Sequence, residues 1–258
     1  MFRFWEFIYI YMEVNKIYNE DCLTTMTFMD PQSVSVILTS PPYNMTKRKG
    51  GWGDKGRYDK YKDWLDEEEY LTWTLKMFKN FDRILQDNGV VLYNFSYSIE
   101  NPSLPYKLVS KILDSTNFVI ADTIIWKKKM RITFPASSNR LNRKSEFVFV
   151  FVRSHELETF TTNKKVLSVS SKGQKYYECF DNIIEADNND GSNPLNKATF
   201  STELVTKLLD IYAPDGSLIY DPFIGVGTTG HACNKRGLDW VGSEISEKQI
   251  EYFNGNKH

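Results

Sequence analysis

Three glycines near the C-terminal end of the chain have the spacing of a nucleotide-binding turn. Gly225, Gly227 and Gly230 follow a short apolar segment and precede a helical pattern, and Glu244 ends the next strand-like segment. Glycines so placed permit a tight turn, the helix N-terminus faces the ligand, and the acid takes the ribose hydroxyls. Structural glycines at a strand–helix turn are the alternative, because a single match to this pattern is unspecific.

The charge beside this turn separates two classes of ligand. Asp221 is expected at the mouth of the turn, where a pyrophosphate would meet a like charge and a sulfonium or ammonium would be attracted. S-adenosylmethionine carries both cations, together with a carboxylate for the helix N-terminus and a ribose diol for Glu244. The residues therefore favour S-adenosylmethionine over a nicotinamide dinucleotide as cofactor.

A second candidate site is the segment Ser40-Pro41-Pro42-Tyr43, which follows an apolar run ending at Thr39. Two consecutive prolines fix φ and remove two backbone donors, so the turn offers acceptors: carbonyl oxygens and the Ser40 hydroxyl. A rigid turn of this kind beside an aromatic ring is suited to holding an amino group and a flat ring. An ordinary turn after a strand is the alternative when the segment is considered alone.

The segments between these two sites alternate between strand-like and helix-like patterns. The clearest helix is expected to begin with a capping box at Asp66 and to end at Gly89. We also predict a helix at 104–113 and strands at 90–95, 118–126, 146–152, 217–220 and 239–244. This alternation predicts an α/β fold with a doubly wound, mostly parallel sheet.

The composition excludes several classes of protein. Of the 258 residues, 41% are apolar, which excludes disorder and fibrous repeats. The net charge of −1 gives no general attraction to a polyanion, so such contacts must come from local patches. The three cysteines are scattered, odd in number and without metal-ligand spacing, so neither a disulfide framework nor a metal site is predicted. Because free cysteines fit a reducing compartment, a cytoplasmic location is expected. No segment approaches the roughly 20 apolar residues of a membrane helix, and no membrane partner is expected.

Three regions interrupt the alternation, and a fourth precedes it. Residues 44–64 and 127–144 are basic and without periodicity, and residues 155–196 are polar and irregular. Long loops of this kind are usually functional or mobile. We interpret residues 1–14 as an N-terminal extension whose first part, 1–11, lies upstream of the ordinary globular sequence; an added edge strand is the alternative.

The Ser-Pro-Pro-Tyr turn at 40–43 and the Asp-Pro-Phe-x-Gly-x-Gly-Thr-Thr segment at 221–229 together resemble motifs IV and I of the DNA amino-methyltransferases. Their order, with the catalytic motif first, resembles the circularly permuted β group of that family. The resemblance implies the seven-stranded sheet of S-adenosylmethionine-dependent methyltransferases. It also implies that 15–258 form one domain, with 155–196 as a small irregular target-recognition insert.

The resemblance implies roles for individual residues. Asp21 corresponds to a residue near the cofactor adenine, and Glu244 corresponds to the acid that binds the ribose. The implied catalytic residues are Ser40, Pro41, Pro42 and Tyr43. The implied cofactor-binding residues are Asp21, Cys22, Thr199, Phe200, Asp221, Pro222, Phe223, Gly225, Gly227, Thr228, Thr229 and Glu244.

Two positions depart from the family pattern. Val226 stands where Ser or Ala is common, and its β-branched side chain is expected to crowd the methionine tail of the cofactor. Residues 196–201 are similar to a segment that packs over the cofactor, but its His and both of its prolines are replaced, while Thr199 and Phe200 remain. A catalytically decayed DNA-binding module is therefore one alternative function.

The acceptor turn suggests how an amino group could be activated. An exocyclic amino nitrogen is a poor nucleophile because its lone pair is delocalised into the ring of the base. We expect the Ser40 Oγ and the Pro41 carbonyl to accept its two hydrogens and so favour a pyramidal nitrogen that attacks the sulfonium methyl. Tyr43 would stack on the base and stabilise the developing positive charge. No strong general base is evident, so the proton is expected to leave to water.

A base inside a duplex must be flipped out to reach such a turn, so basic segments are expected beside the cleft. We interpret one set of cations as phosphate contacts to double-stranded DNA, with solvated charged loops as the alternative. This set is Lys47, Arg48, Lys49, Arg57, Lys128, Arg131, Arg140 and Arg143. The insert at 155–196 is the candidate for reading base edges.

The leading hypothesis is a site-specific DNA methyltransferase that transfers a methyl group from S-adenosylmethionine to the exocyclic amino group of a flipped base. In the resembled family, Ser before Pro-Pro-Tyr accompanies cytosine N4 more often than adenine N6, so N4-cytosine is favoured. The alternatives are an N6-adenine enzyme, an RNA or protein-amide methyltransferase, and the decayed module. The recognition sequence, a cognate restriction endonuclease, and the choice between monomer and homodimer stay open.

Overall fold

The computed structural model describes most of the chain, in segments that alternate strands and helices. The described residues are 12–44, 60–61, 63–97, 101–130, 138–139, 141–190, 195 and 200–255. The strands are β1 (Lys16–Tyr18), β2 (Val34–Thr39), β3 (Leu85–Phe95), β4 (Phe118–Lys128), β5 (Ser145–Arg153), β6 (Val166–Val169), β7 (Lys175–Tyr177), β8 (Ile183–Ala186), β9 (Leu218–Asp221) and β10 (Asp239–Ser243). The α-helices are α1 (Cys22–Phe28), α2 (Glu67–Ile84), α3 (Leu104–Ser115), α4 (Thr202–Tyr212), α5 (Thr228–Arg236) and α6 (Glu247–Gly255).

Within the described ranges, eight strands form one sheet in the order β1-β10-β9-β2-β3-β5-β4-β8. The first five strands in this order pair in parallel, β5 is antiparallel to both of its neighbours, and β8 is parallel to β4. The prediction of a mostly parallel α/β sheet is confirmed, and the sheet has one strand more than the seven expected.

Both faces of this sheet are covered by helices. Val36 and Leu38 of β2 belong to a hydrophobic cluster with residues of α4, α5 and α6. Ile37, between them, belongs to a second cluster with residues of α1, α2 and α3. Successive side chains of a strand point to opposite faces, so a strand buried on both sides is mostly apolar, as β2 is apart from Ser35 and Thr39.

The strand order sets the place where a ligand can bind. β9 continues through α5 to β10 on one side of the sheet, whereas β2 continues through α2 to β3 on the other. The adjacent, parallel strands β9 and β2 therefore flank a topological switch point. In open α/β sheets the crevice beyond the carboxyl ends of such strands is the ligand site.

Helix α2 begins where the sequence predicts but ends earlier. The Asp66 side chain caps it by accepting the backbone N–H groups of Glu68 and Glu69. The predicted end at Gly89 is wrong, because the helix ends at Ile84 and Gly89 lies within β3. At this end of the helix, the buried guanidinium of Arg153 on β5 donates to the backbone carbonyl of Asp82 in α2 and to those of Leu85 and Gln86 in β3. The bond to Asp82 satisfies one of the carbonyl groups that the end of a helix leaves without partners.

The remaining expectations agree with the structure except at a few boundaries. The helix at 104–113 and the other strands are found within two residues of the predicted limits, apart from the earlier start of β3. Within 155–196, β6 and β7 form a separate antiparallel hairpin and β8 joins the edge of the main sheet, so the insert is more regular than expected. Residues 1–11 lie outside the described part of the chain. No helix in the described ranges combines the length and apolar character needed to cross a bilayer.

Candidate active site

The carboxyl ends of β2 and β9 open into a pocket. Ser40 and Pro42 of the predicted catalytic turn line it, and so do Gly225 and Thr228 of the glycine loop. The two motifs, far apart in the sequence, therefore meet in one cavity.

The loop between β9 and α5 has the backbone conformation that its glycines predict. Gly225 has φ of 55° and Gly227 has φ of 88°, both in the left-handed region. A Cβ on Gly227 would lie 2.1 Å from the Cδ2 of Phe253 on α6, so space as well as φ excludes a side chain. At Gly230, inside α5, a Cβ would lie 2.9 Å from the Trp240 ring on β10, which explains the third glycine as a helix–strand contact.

Asp221 lies behind the loop instead of at its mouth. Its carboxylate is buried and accepts hydrogen bonds from the Thr229 hydroxyl at 2.5 Å and from the Phe223 backbone N–H at 3.0 Å. Burial raises the pKa of Asp221 to about 6, and the two hydrogen bonds act in the opposite direction. Asp221 and Thr229 therefore brace the loop from inside, and the expected negative charge at the pocket comes from other residues.

Three carboxylates, those of Glu20, Asp21 and Glu244, line the pocket beside β1 and β10. Asp21 caps α1 by accepting the Leu23 backbone N–H at 2.8 Å. Among the described lining residues, Lys60 is the only cation. The excess of carboxylates favours a ligand with positive charge in this half of the pocket.

Glu244 is held by the backbone of two segments. One of its carboxylate oxygens accepts the Gly225 N–H at 3.1 Å, and the other accepts the Ser246 N–H at 2.8 Å. Each oxygen has further lone pairs, so the carboxylate can still accept from a ligand hydroxyl.

Of the other predicted cofactor-binding residues, four line the pocket: Cys22, Phe200, Pro222 and Phe223. Val226 is buried and is not among the residues that line it. Thr199 lies outside the described residues.

The catalytic turn is fixed from beneath by residues that the sequence analysis did not identify. The hydroxyl of the fully buried Tyr70 on α2 donates to the Pro42 carbonyl at 2.6 Å. Asn44, with φ of 51°, donates through its side chain to the Leu65 carbonyl and accepts the Leu65 backbone N–H at 2.6 Å. The Asn44 backbone N–H in turn donates to the buried Asp63 carboxylate at 2.7 Å. The end of the turn is thus joined to the segment that precedes α2.

The Tyr43 side chain lies in a polar cluster beside the pocket. Its hydroxyl lies 3.1 Å from the Ser40 Oγ, 3.0 Å from the Asn94 Oδ1 and 2.9 Å from the Glu146 Oε2. Its ring centroid is 4.8 Å from that of Phe95. Sequence reasoning missed Asn94 and Glu146 as site residues, although a polar residue within an otherwise apolar strand was an available signal.

Two of the predicted DNA contacts can be located. Lys128 on β4 forms an ion pair with Glu146, and its ammonium lies 4.6 Å from the centre of the Trp126 ring. Arg143 donates to the Tyr97 carbonyl and lies over the ring of that tyrosine. Both cations have protein partners that a phosphate would have to replace. Lys47, Arg48, Lys49, Arg57, Arg131 and Arg140 lie outside the described residues.

The chain is similar in sequence to known type II methyltransferases. The type II methyltransferase M.MwoI of Methanothermobacter wolfeii is 29% identical over 249 residues, which cover 93% of this chain and 33% of M.MwoI. The chain thus spans about one third of the length of that relative.

Two solved structures have the same fold. PvuII DNA methyltransferase, described as cytosine-N4-specific, superposes with a TM-score of 0.70 at 18% identity, covering 93% of this chain and 84% of the other. M1.HpyAVI in complex with SAM superposes with a TM-score of 0.58 at 20% identity, covering 93% and 98%.

The family model N6_N4_Mtase, described as DNA methylase, matches residues 34–255. This range begins at β2 and ends in α6, so it contains the catalytic turn, the glycine loop and the strands that bring them together. The chain therefore belongs to this family of DNA methylases.

Proposed function

We propose that this chain is a site-specific DNA methyltransferase that uses S-adenosylmethionine to methylate the exocyclic amino group of a base flipped out of the duplex. The observation that carries the proposal is the convergence of the Ser40–Tyr43 turn and the glycine loop on one pocket between β2 and β9. Membership in the DNA methylase family supports DNA as the substrate.

The residues of the pocket fit S-adenosylmethionine. Glu244 offers a fixed carboxylate for a ribose diol, and Asp21 and Glu20 supply negative charge for a cationic ligand. Phe200 and Phe223 provide apolar lining suited to a purine ring. When bound, this cofactor supplies a methyl group activated by its sulfonium sulfur. The structural neighbour solved in complex with SAM supports the same choice.

The base side of the pocket fits an amino group. Ser40 lines the cavity, and the Pro41-Pro42 backbone beside it has no N–H to donate. We assign the Ser40 Oγ and the Pro41 carbonyl as acceptors for the two amino hydrogens. Holding the nitrogen in this way favours the pyramidal geometry needed for attack, and orientation of the two reactants supplies most of the rate.

Cytosine N4 is the favoured target, with adenine N6 as the second candidate. The choice rests on Ser40, because Ser before Pro-Pro-Tyr accompanies cytosine N4 more often in the resembled family. A cytosine-N4-specific enzyme with the same fold supports it. The decayed module loses support because Phe200 still lines the pocket. The type II relatives support a cognate restriction endonuclease as partner.

We assign DNA recognition within 155–196 to the β6–β7 hairpin. Residues 164–177 contain four lysines and no acid, and Lys172, Lys175, Tyr176 and Tyr177 are all exposed. A two-stranded ribbon can enter the major groove, where it reads base edges. Its exposed lysines would neutralise phosphates.

Modified-base sequencing of DNA from cells that express the chain tests this function, with a Tyr43→Ala variant as the inactive control. We expect N4-methylcytosine at one short recognition sequence. N6-methyladenine would overturn the choice of base. If tritium from labelled S-adenosylmethionine enters RNA or protein in place of DNA, the substrate class is wrong.

A further inference from the structure

The hydroxyls of Ser40 and Tyr43 form a chain of hydrogen bonds that ends at Glu146. The Ser40 Oγ lies 3.1 Å from the Tyr43 hydroxyl oxygen, which lies 2.9 Å from the Glu146 Oε2. Each hydroxyl has one hydrogen to donate, whereas an ionised carboxylate can only accept. The direction of the chain therefore depends on where the Tyr43 hydrogen goes.

Both polar neighbours of Tyr43 on β3 and β5 are oriented as acceptors. The Asn94 side-chain NH₂ donates to the Phe147 carbonyl at 2.9 Å, which turns its Oδ1 towards Tyr43 at 3.0 Å. The second oxygen of Glu146 is paired with Lys128, whose ammonium can only donate. Glu146 is the stronger of the two acceptors because it is charged, and it is also the closer one, so Tyr43 donates its hydrogen to Glu146. The Tyr43 oxygen is then oriented to accept the hydrogen of Ser40.

The cluster is shielded enough for this direction to persist. Asn94 is buried, and the Lys128 and Glu146 side chains are only 23% and 15% exposed. Hydrogen bonds to a charged group are about twice as strong as neutral ones, and a low local dielectric strengthens them further.

We propose that Glu146 is a positioning residue that fixes Ser40 as a hydrogen-bond acceptor. With its own hydrogen directed to Tyr43, Ser40 presents lone pairs to the pocket that it lines, as the hydrogens of an amino group require. Glu146 acts through Tyr43 and needs no contact with the substrate. The inference rests on the proposed function, because an acceptor at Ser40 matters for turnover only if the turn holds an amino group.

Lys128 sets the orientation of whatever side chain stands at 146. In a Glu146→Gln variant, its ammonium would hold the amide oxygen and turn the amide NH₂ towards Tyr43. A donor at that place would compete with Ser40 for the Tyr43 oxygen while Tyr43 donates to Asn94, so the Ser40 hydrogen could turn into the pocket. Adding Lys128→Met would release the amide, which can then rotate its oxygen to Tyr43.

The test measures methyl transfer to bulk DNA with tritium-labelled S-adenosylmethionine. It compares three variants with their parent proteins: Glu146→Gln, Glu146→Gln combined with Lys128→Met, and Glu146→Gln combined with Tyr43→Phe. We expect Glu146→Gln to lower kcat at least about tenfold with unchanged KM for DNA, Kd for S-adenosylmethionine and Tm. Lys128→Met should restore at least part of this loss. In Tyr43→Phe, where the link is absent, Glu146→Gln should change kcat less than about twofold.

Glu185→Gln is the matched control, because it removes the partner of the neighbouring Lys127 on β4, an exposed pair at 2.7 Å. This variant should retain wild-type kcat. Equal losses from Glu146→Gln in the wild-type and Tyr43→Phe backgrounds, or a loss with a lowered Tm, would overturn the inference.

Neutron diffraction from the deuterated wild-type protein locates the hydrogens of the Ser40–Tyr43–Glu146 chain, and this measurement does not depend on catalytic activity. A deuterium on the Ser40 Oγ that points to Tyr43 supports the inference, and one that points into the pocket overturns it. A wild-type protein with the first arrangement that transfers no methyl to any DNA would instead overturn the proposed function.

Discussion

The backbone N–H of Gly225 donates a 3.1 Å hydrogen bond to the carboxylate of Glu244. This bond connects the glycine loop after β9 to the segment after β10, two elements that are neighbours in the sheet. Because the Ser246 N–H holds the other carboxylate oxygen, backbone groups of two segments orient Glu244. The acid that we assign to the ribose is therefore positioned by the protein backbone.

Replacement of Glu244 should weaken cofactor binding more than folding. Glu244→Ala removes an ionised acceptor whose hydrogen bonds are worth about 1.5–3 kcal/mol, so we expect the Kd for S-adenosylmethionine to rise about tenfold to a hundredfold. Isothermal titration measures this, and Glu247→Ala on the first turn of α6 is the control. An unchanged Kd would remove Glu244 from the cofactor site.

Substitutions in the catalytic turn should lower the rate of methyl transfer and leave cofactor binding unchanged. We expect Tyr43→Ala to abolish methyl transfer and Ser40→Ala to lower kcat at least about tenfold, because one of two acceptors for the amino hydrogens is lost. The Kd for S-adenosylmethionine should stay within about twofold of wild type in both variants. An active Tyr43→Ala enzyme would contradict the assignment of this turn.

Asp221 should make stability depend on pH between about pH 4 and pH 6. Its pKa is raised to about 6 in the folded protein from the ordinary value of 3.8, so the folded state binds the proton more tightly. The resulting stabilisation is fully present below about pH 4 and is lost as the pH rises through about 6. Asp221→Asn should therefore gain up to about 3 kcal/mol relative to wild type between pH 4 and pH 8.

Urea unfolding of the cofactor-free protein across this range measures the difference. Asp215→Asn, at an exposed position, is the control and should show no such gain. Parallel pH profiles for Asp221→Asn and wild type would refute the raised pKa.

Arg153 should be among the most sensitive positions for folding. Its side chain pairs with Asp82 at 2.7 Å and with Glu156 at 3.1 Å and also caps the end of α2. Arg153→Met leaves a buried carboxylate without its partner, so the free energy of unfolding should fall by about 3–5 kcal/mol. Lys111→Met, which breaks the exposed pair with Glu68, should cost less than about 1 kcal/mol in the same assay.

The β6–β7 hairpin should contribute to DNA affinity in a salt-dependent way. Replacing Lys172 and Lys175 with Ala should weaken DNA binding and reduce the slope of log K against log[salt] by about 2, since each phosphate contact contributes about 0.9. Fluorescence anisotropy at several salt concentrations measures the slope. The matched control removes two exposed lysines from α2, Lys76 and Lys79. Equal slopes for both variants would exclude the hairpin from the interface.

The sequence by itself determined the features that depend on local backbone chemistry. Two prolines make an acceptor turn wherever they stand, Gly225 and Gly227 permit left-handed φ, and Asp66 caps the helix that follows it. Strand and helix periods likewise depend on near neighbours, which is why the α/β alternation was predictable.

Only the tertiary structure decided which groups face one another across the sheet. The pairing of β5 with β3 and β4 brings Glu146 to Tyr43 and Lys128, and the same strand brings Arg153 to the end of α2. The fold also turns Asp221 inwards to Thr229, where local charge reasoning had expected it to face a ligand. These contacts join residues distant in sequence, and their geometry follows from strand order and register, which no local pattern encodes.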